Sequence, residues 1–164
     1  MDQHLAGPFL RCLRAEEELL AESRTVADVV YAALRGGDLA AVTAAVSRQQ
    51  ALADAMAEAG TARTAAAVAL AHSVGLPDNG LTLNLLAANV PAPFAADVLA
   101  ARERLTALTA ELGALQTRNA NLLGHLRSFF RGVLSDLAPA DAPARYGPSG
   151  GRLTPPGGAL QTRG

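Results

Sequence analysis

The sequence predicts an all-α protein in which long helices pack as an antiparallel hairpin or bundle with coiled-coil character. Half of its 164 residues are hydrophobic, and alanine and leucine, which both favour helix, are the commonest of them. Apolar residues recur at alternating intervals of three and four, which is the repeat of one helix face. Aromatic residues make up 4% of the chain and tryptophan is absent, so we expect thin helices that approach each other closely.

The first helix is predicted from Leu5 to about Ala33, and two glycines follow it. Its apolar row consists of Leu5, Phe9, Cys12, Leu19, Val26, Val30 and Ala33, with Glu16 and Ser23 as polar interruptions. Gly36 or Gly37 can take the left-handed conformation that ends a helix. Asp38 can then accept a hydrogen bond from the first N–H groups of the next helix.

The second helix is predicted to run from Leu39 to about Val74. Its apolar positions are Leu39, Val42, Val46, Leu52, Met56, Ala66, Leu70 and Val74, with alanines between them. Gly60 costs about 1 kcal/mol in the interior of a helix, and Thr61 could cap a new one. The sequence therefore leaves open whether this helix is continuous or is kinked or broken at Gly60.

A turn and a short helix precede the last element. The stretch Leu76–Gly80 has the proline, asparagine and glycine of a turn. A short helix is predicted from about Thr82 to Ala88. Pro91 and Pro93 then open the longest helix, which is predicted from Ala92 to Leu137.

This last helix has a coiled-coil-like seam that contains an amide. The members of the seam are Val98, Ala101, Leu105, Leu108, Leu112, Leu115, Asn119, Leu122, Leu126, Phe129 and Val133. A buried amide at such a position is costly, but it can fix register or the choice of partner. We therefore predict that Asn119, together with the nearby Asn121, sets the register of helix packing.

The composition changes abruptly after Leu137, where proline and glycine become frequent. A segment of this kind cannot bury enough apolar surface to order itself. We therefore predict a helical domain over residues 1–138 and a flexible tail over residues 139–164.

Charge and hydropathy argue against several classes of partner. The formal net charge of −1 gives no field that would gather nucleic acid or anionic lipid, and the arginines are scattered along the chain. No stretch approaches the ~20 apolar residues of a membrane span, and the N-terminus lacks the pattern of a signal peptide. We expect a cytoplasmic protein with no nucleic-acid partner and no stable membrane insertion.

The residues that could carry chemistry do not form a catalytic or metal-binding pattern. His4, His72 and His125 lie on separate segments, whereas a metal site needs at least three convergent ligands. Cys12 is the single cysteine and belongs to an apolar row, so we interpret it as a packing residue. The carboxylates of Glu16–Glu18 point around the helix and predict a solvated face. We expect no enzyme activity, no metal and no cofactor.

The end of the last helix is more apolar than a contact with one neighbouring helix requires. The apolar residues there are Leu122, Leu123, Leu126, Phe129, Phe130, Val133, Leu134 and Leu137. One row, formed by Leu122, Leu126, Phe129 and Val133, can pack on the protein's own helices. The second row, formed by Leu123, Phe130, Leu134 and Leu137, is predicted to receive an amphipathic helix of a partner protein.

In its arrangement the sequence resembles the FlgN family of flagellar export chaperones. The resemblance covers about residues 5–153 and lies in GGDL at Gly36–Leu39, in LQTRNANLL at Leu115–Leu123, and in a tail that opens with RYGPSGG at Arg145. It implies a non-enzymatic chaperone that binds hook-associated proteins, the clients, and delivers them to the flagellar type III export gate.

The resemblance also assigns roles to individual residues. The family binds its clients through the C-terminal helix, which corresponds here to the same eight residues from Leu122 to Leu137. A separate hypothesis rests on the chemistry of Tyr146, which has a large apolar face with a polar end and is kept accessible by the adjoining glycine and proline: it would dock on the cytoplasmic domain of the export gate. A homodimer is a further candidate assembly. The alternative is a structural coiled-coil scaffold or adaptor that has no client and buries this face in a homotypic interface.

Overall fold

The computed structural model describes residues 3–137, with side chains from residue 6 to residue 135. Four helices make up this part of the chain, namely α1 (Gln3–Gly36), α2 (Leu39–Ser73), α3 (Leu83–Ala88) and α4 (Ala92–Leu137). No strand occurs within residues 3–137, and the all-α prediction is confirmed. The chain divides into two compact units, Met1–His125 and Leu126–Gly164.

The connection between α1 and α2 is the predicted glycine stop followed by an aspartate cap. Gly37 has a φ of 70°, which is the left-handed conformation expected at a helix C-terminus. Oδ1 of Asp38 accepts a hydrogen bond of 2.9 Å from the backbone N–H of Ala41. Both predictions for this connection are confirmed.

Helix α2 is continuous through Gly60. Thr61 does not cap a new helix, because its Oγ1 donates to the carbonyl oxygen of Ala57 at 3.0 Å. A Cβ atom placed on Gly60 would lie 3.8 Å from Oε1 of Glu16, which is an ordinary van der Waals contact, so that carboxylate does not require a glycine here. Of the two possibilities that the sequence left open, the structure has the uninterrupted helix.

The predicted short helix lies between two turns. Gly75 and Gly80 both have a φ of 74° in the segment that leads to it. The hydroxyl oxygen of Thr82 caps α3 by accepting from the N–H of Leu85 at 3.1 Å. Helix α4 then begins at Ala92, as the sequence predicts.

Ion pairs within Met1–His125 give the direction of the helices. Between α1 and α4 the pairs are Glu17–Arg104, Arg24–Glu111 and Asp28–Arg118. Between α1 and α2 they are Glu16–Arg63 and Glu22–Arg48. Residue numbers rise together along α1 and α4 and run in opposite senses along α1 and α2. Helices α1 and α2 therefore form the expected antiparallel hairpin, and α4 runs parallel to α1.

The core of the first unit collects at one end of the helices. Its largest fully buried side chains are Phe9, Leu13, Leu70, Leu86 and Val98. They come from the start of α1, the end of α2, the short α3 and the start of α4. The turns on either side of α3 thus bring four chain segments around one cluster.

The predicted apolar row of α1 needs a correction. Leu13, which the row omits, is fully buried, whereas Cys12, Leu19 and Val26 are half-buried. The physical reason is that α1 contacts α2 and α4 together, so its buried stripe is wider than the row that a single neighbour would require.

Candidate functional site

The seam of α4 packs within the first unit as the 3-and-4 spacing predicts. Val98 and Ala101 are buried, and Leu105, Leu108, Leu112 and Leu115 are half-buried. Asn119 follows them in the same seam and is 6% exposed. The amide that interrupts the sequence pattern is therefore inside the protein.

Asn119 links α4 to the backbone of α1. Its Nδ2 donates to the carbonyl oxygen of Ala27 at 2.7 Å. The assignment of the two amide atoms follows from chemistry, because a carbonyl oxygen can only accept. Among the described residues, no group donates to the buried Oδ1 of Asn119. The amide thus uses its donor and leaves its acceptor unsatisfied, and the role of Asn119 in register stays a prediction.

Unlike Asn119, the nearby Arg118 and Asn121 are not buried. Nη2 of Arg118 donates to Oδ1 of Asp28 at 2.8 Å, and its guanidinium carbon lies 3.8 Å from the centre of the Tyr31 ring. This cation–π contact and ion pair hold α4 beside α1. Asn121 is exposed, and its part in the register of helix packing stays a prediction.

The prediction of a solvated acidic face is wrong for two of its three residues. Glu16 is 8% exposed, and its Oε1 accepts from Nε of Arg63 at 2.8 Å. Glu17 accepts two hydrogen bonds from Arg104, at 3.0 and 2.9 Å, and this hydrogen bonding raises the pKa of Arg104. Only Glu18 is exposed. The sequence shows no sign of this, because the arginines lie on other helices.

A groove of about 590 Å³ lies among α1, α2 and α4 in the first unit. Its apolar lining includes Leu20, Leu34, Val46, Met56 and Leu123, and its polar lining consists of Ser23, Gln49, Gln50, Gln116 and Asn119. No charged side chain lines it. Leu123, which the sequence assigns to the client-binding row, is thus one wall of this groove.

The two predicted client-binding residues of the first unit are partly accessible. Leu122 is half-buried, and Leu123 is 48% exposed. Leu123 is thus the more accessible of the two, and the binding of a client by either residue stays a prediction.

The described part of the second unit is the helical stretch from Leu126 to Leu137, and it presents a surface of large apolar side chains. Phe129, Phe130 and Leu134 are 64%, 59% and 67% exposed, and Val133 is 37% exposed. The two phenylalanine rings are in edge-to-face contact, with centres 5.7 Å apart. We call these four residues the C-terminal apolar surface.

This exposure concerns the first row as well. The sequence allows that row to pack on the protein's own helices, but Phe129 and Val133 are exposed, and among the described side chains of this unit Leu126 alone is half-buried. Helical spacing gives the face of α4 on which a residue lies, but it does not tell which residues of that face are covered. The side chain of Leu137 lies outside the described residues, as does Tyr146 with the rest of the predicted tail.

No metal-binding group of three or more potential ligands occurs among the described residues. His72 pairs with Asp78 through its Nε2, His125 is exposed and Cys12 is half-buried. Within residues 3–137, no helix combines the length and the hydrophobicity of a membrane span.

Two features of the surface escaped the sequence analysis. The groove was missed because it is formed by three helices whose relative rotation no single-helix pattern reveals. The exposed Arg127 and Arg131 were missed because the arginines are scattered along the chain as a whole, although these two lie four residues apart beside the C-terminal apolar surface. Their i, i+4 spacing was the signal that could have identified them.

Comparison with known proteins gives one finding. A family model described as FlgN protein matches residues 2–154. No curated protein sequence and no solved structure matches the chain.

Proposed function

We propose, on the premise that the chain belongs to the FlgN family of flagellar export chaperones, that it binds hook-associated proteins in the cytoplasm. In this proposal the client docks on the C-terminal part of α4, and the chaperone delivers it to the flagellar type III export gate. The chain acts by binding alone, without a cofactor and without catalysis.

The observation that carries the proposal is the C-terminal apolar surface. Phe129, Phe130 and Leu134 are each more than half exposed and lie within two helical turns. A contiguous patch of apolar groups on a protein surface in water marks an interaction site, because the hydration of these groups is unfavourable. A helical client that lays its own apolar face on them would remove both surfaces from water.

The burial pattern of this stretch supports the same conclusion. None of the side chains from Leu126 to Ser135 is buried, and the stretch includes Gly132, which lowers helix stability by about 1 kcal/mol relative to alanine. Tertiary packing supplies most of the stability of helices in proteins. A client that packs here would therefore stabilise the helix at the same time as it hides the apolar surface.

The direct test compares two double variants of the full chain. Phe130→Asp with Leu134→Asp places charges on the C-terminal apolar surface, whereas Val29→Asp with Leu99→Asp places them on exposed aliphatic positions of the first unit. The probes are the hook-associated proteins of the same organism, each purified and titrated by calorimetry.

We expect the first variant to lose client binding and the second to keep it. Burying one such side chain contributes ~1.5–3 kcal/mol, so the loss of two lowers affinity by about two to four powers of ten. Circular dichroism should show the same helical content in both variants. Unchanged client affinity in the first variant would refute the proposed site.

The scaffold alternative predicts a different outcome of the same experiment. A scaffold would bury Phe130 and Leu134 in an interface between copies of the chain. The wild-type chain would then sediment as an oligomer that Phe130→Asp with Leu134→Asp converts to monomer, and none of the hook-associated proteins would bind.

A further inference from the structure

We propose that the client helix bound by the C-terminal apolar surface carries acidic side chains along one edge of its own apolar face, because Arg127 and Arg131 line one edge of this surface. The inference rests on the proposed function and adds the chemistry of the partner to it. It also implies that the client helix binds with a single rotation about its own axis, which turns its acidic edge toward the two arginines.

Helical geometry places the two arginines at one edge of the surface. A helix turns by about 100° per residue. Measured from Phe130 about the helix axis, in one direction of rotation, Leu134, Arg127 and Arg131 lie at about 40°, 60° and 100°. In the opposite sense, Val133 and Phe129 lie at about 60° and 100°. The apolar arc therefore meets arginine on one side and ends at a phenylalanine on the other.

From Gly124 to Ser135 the formal charges are of one sign, because the sequence has Arg127 and Arg131 there and neither aspartate nor glutamate, and the first carboxylate beyond them is that of Asp136. Both arginines are exposed. Among the described side chains, no carboxylate forms an ion pair with either of them, whereas Arg104 and Arg118 of the same helix are paired with α1.

Between Gly124 and Ser135 the rest of the helix circumference carries no other arginine and no carboxylate. Gly124, Ser128, Gly132 and Ser135 occupy the side beyond the arginines, and a Cβ atom added to either glycine would meet nothing within 4 Å. A helix that packs on the apolar arc would thus find positive charge at a single edge. Acidic residues at i, i+4 spacing on that edge of the client match Arg127 and Arg131.

A protein helix fits this surface better than an anionic membrane does. Polybasic segments that bind acidic lipids carry about 4–8 lysines or arginines, and this stretch has Arg127 and Arg131 alone, in a chain of net charge −1. Edge pairs of this kind contribute modestly to affinity and more to the rate and the orientation of association.

The experiment reverses these charges and compares the result with a matched reversal elsewhere. Arg127→Glu with Arg131→Glu is made in the full chain, and Arg11→Glu with Arg14→Glu, at two exposed positions of α1, changes the net charge equally. The probe is the hook-associated protein that the wild-type chain binds most tightly. Its dissociation constant is measured for each chain at low and at high salt.

We expect the Arg127 and Arg131 reversal to weaken binding by about tenfold or more at low salt, with the difference shrinking at high salt. The control should stay within about twofold of wild type. Replacing the acidic residues on the matching edge of the client helix by lysine should restore affinity for the reversed variant. Equal affinities of the variant and the control, or no rescue, would overturn the inference while leaving the proposed function intact.

Two further outcomes are decisive. If the wild-type chain binds no hook-associated protein, the proposed function is wrong and this inference falls with it. If the wild-type chain instead binds vesicles of phosphatidylglycerol and phosphatidylcholine, and Arg127→Glu with Arg131→Glu abolishes that binding, the surface recognises a membrane and the acidic helix is not its partner.

Discussion

At the scale of single residues, two polar side chains are buried among the described residues. They are Glu16 and Asn119. Glu16 binds Arg63 on α2, and Asn119 binds the backbone of α1 at Ala27. Each buried polar group therefore links α1 to a different helix.

The first prediction concerns Asn119→Leu. The leucine removes a buried acceptor that has no donor in the described residues. The carbonyl oxygen of Ala27 lies within α1, where it accepts a backbone hydrogen bond of the helix, so the loss of the Asn119 donor does not leave it unsatisfied. We expect the free energy of unfolding to rise by about 1 kcal/mol, while the register between α1 and α4 becomes less well defined. Thermal unfolding followed by circular dichroism measures the first effect.

The control for this prediction is Asn119→Asp, which keeps the size of the side chain but loses the donor and adds a charge. It should lower the melting temperature. A melting temperature of Asn119→Leu below that of the wild type would show that the hydrogen bond to Ala27 outweighs the unsatisfied acceptor.

The second prediction compares two arginines of α2. Arg63→Ala leaves the buried carboxylate of Glu16 without its partner, so we expect a loss of roughly 1–3 kcal/mol of stability. Arg48→Ala removes an ion pair with the exposed Glu22, which should cost about 0.2–1 kcal/mol. Urea unfolding of both variants checks the order, and equal losses would contradict the structural importance of Glu16.

At the scale of elements, a glycine at the end of a helix and a glycine in its interior have different roles. Gly37 has a positive φ and closes α1, whereas Gly113 lies inside α4 with open space around it. Alanine is strained at the first position and favoured at the second. The same substitution should therefore have opposite effects.

The third prediction follows from this contrast. Gly113→Ala should stabilise the protein by about 0.5–1 kcal/mol, and Gly37→Ala should destabilise it by about 1 kcal/mol. Denaturant midpoints of the two variants provide the measurement. A shift of the same sign in both would mean that the conformation of Gly37 is not the reason for a glycine at that position.

Element boundaries could be predicted from the sequence because local chemistry sets them. Asp38, Thr82 and the glycines act within a few residues of their own position, and the predicted ends of α4 agree with the structure. The pairing of Glu16 with Arg63 could not be predicted, because it depends on the rotation of one helix against another. The exposure of Phe129 could not be predicted either, because the spacing of apolar residues along one helix does not show which of them are covered.

At the scale of the whole molecule, the two units differ in what they bury. The first has a core around Phe9, Leu13 and Leu70. In the second, the described stretch has no buried side chain and exposes Phe130 and Leu134. In the proposed function, the first unit is the folded frame of the protein, and the described stretch of the second unit is the surface that binds the client.

The fourth prediction concerns delivery to the export gate. Tyr146 combines a large apolar ring with a hydroxyl group, a combination common at interface anchors. We expect Tyr146→Ala to weaken binding to the cytoplasmic domain of the gate and to leave client binding unchanged, with Tyr146→Phe as the conservative control. Surface plasmon resonance measures both affinities. Equal gate affinity of wild type and Tyr146→Ala would exclude this role.

The central claim is that the client occupies the C-terminal part of α4, and hydrogen–deuterium exchange tests it most directly. The full chain is compared with and without a bound hook-associated protein. The proposed function predicts that client binding slows exchange in peptides covering residues 122–137 and leaves the hairpin of α1 and α2 at its original rate. Slowed exchange in that hairpin with none in residues 122–137 would contradict it.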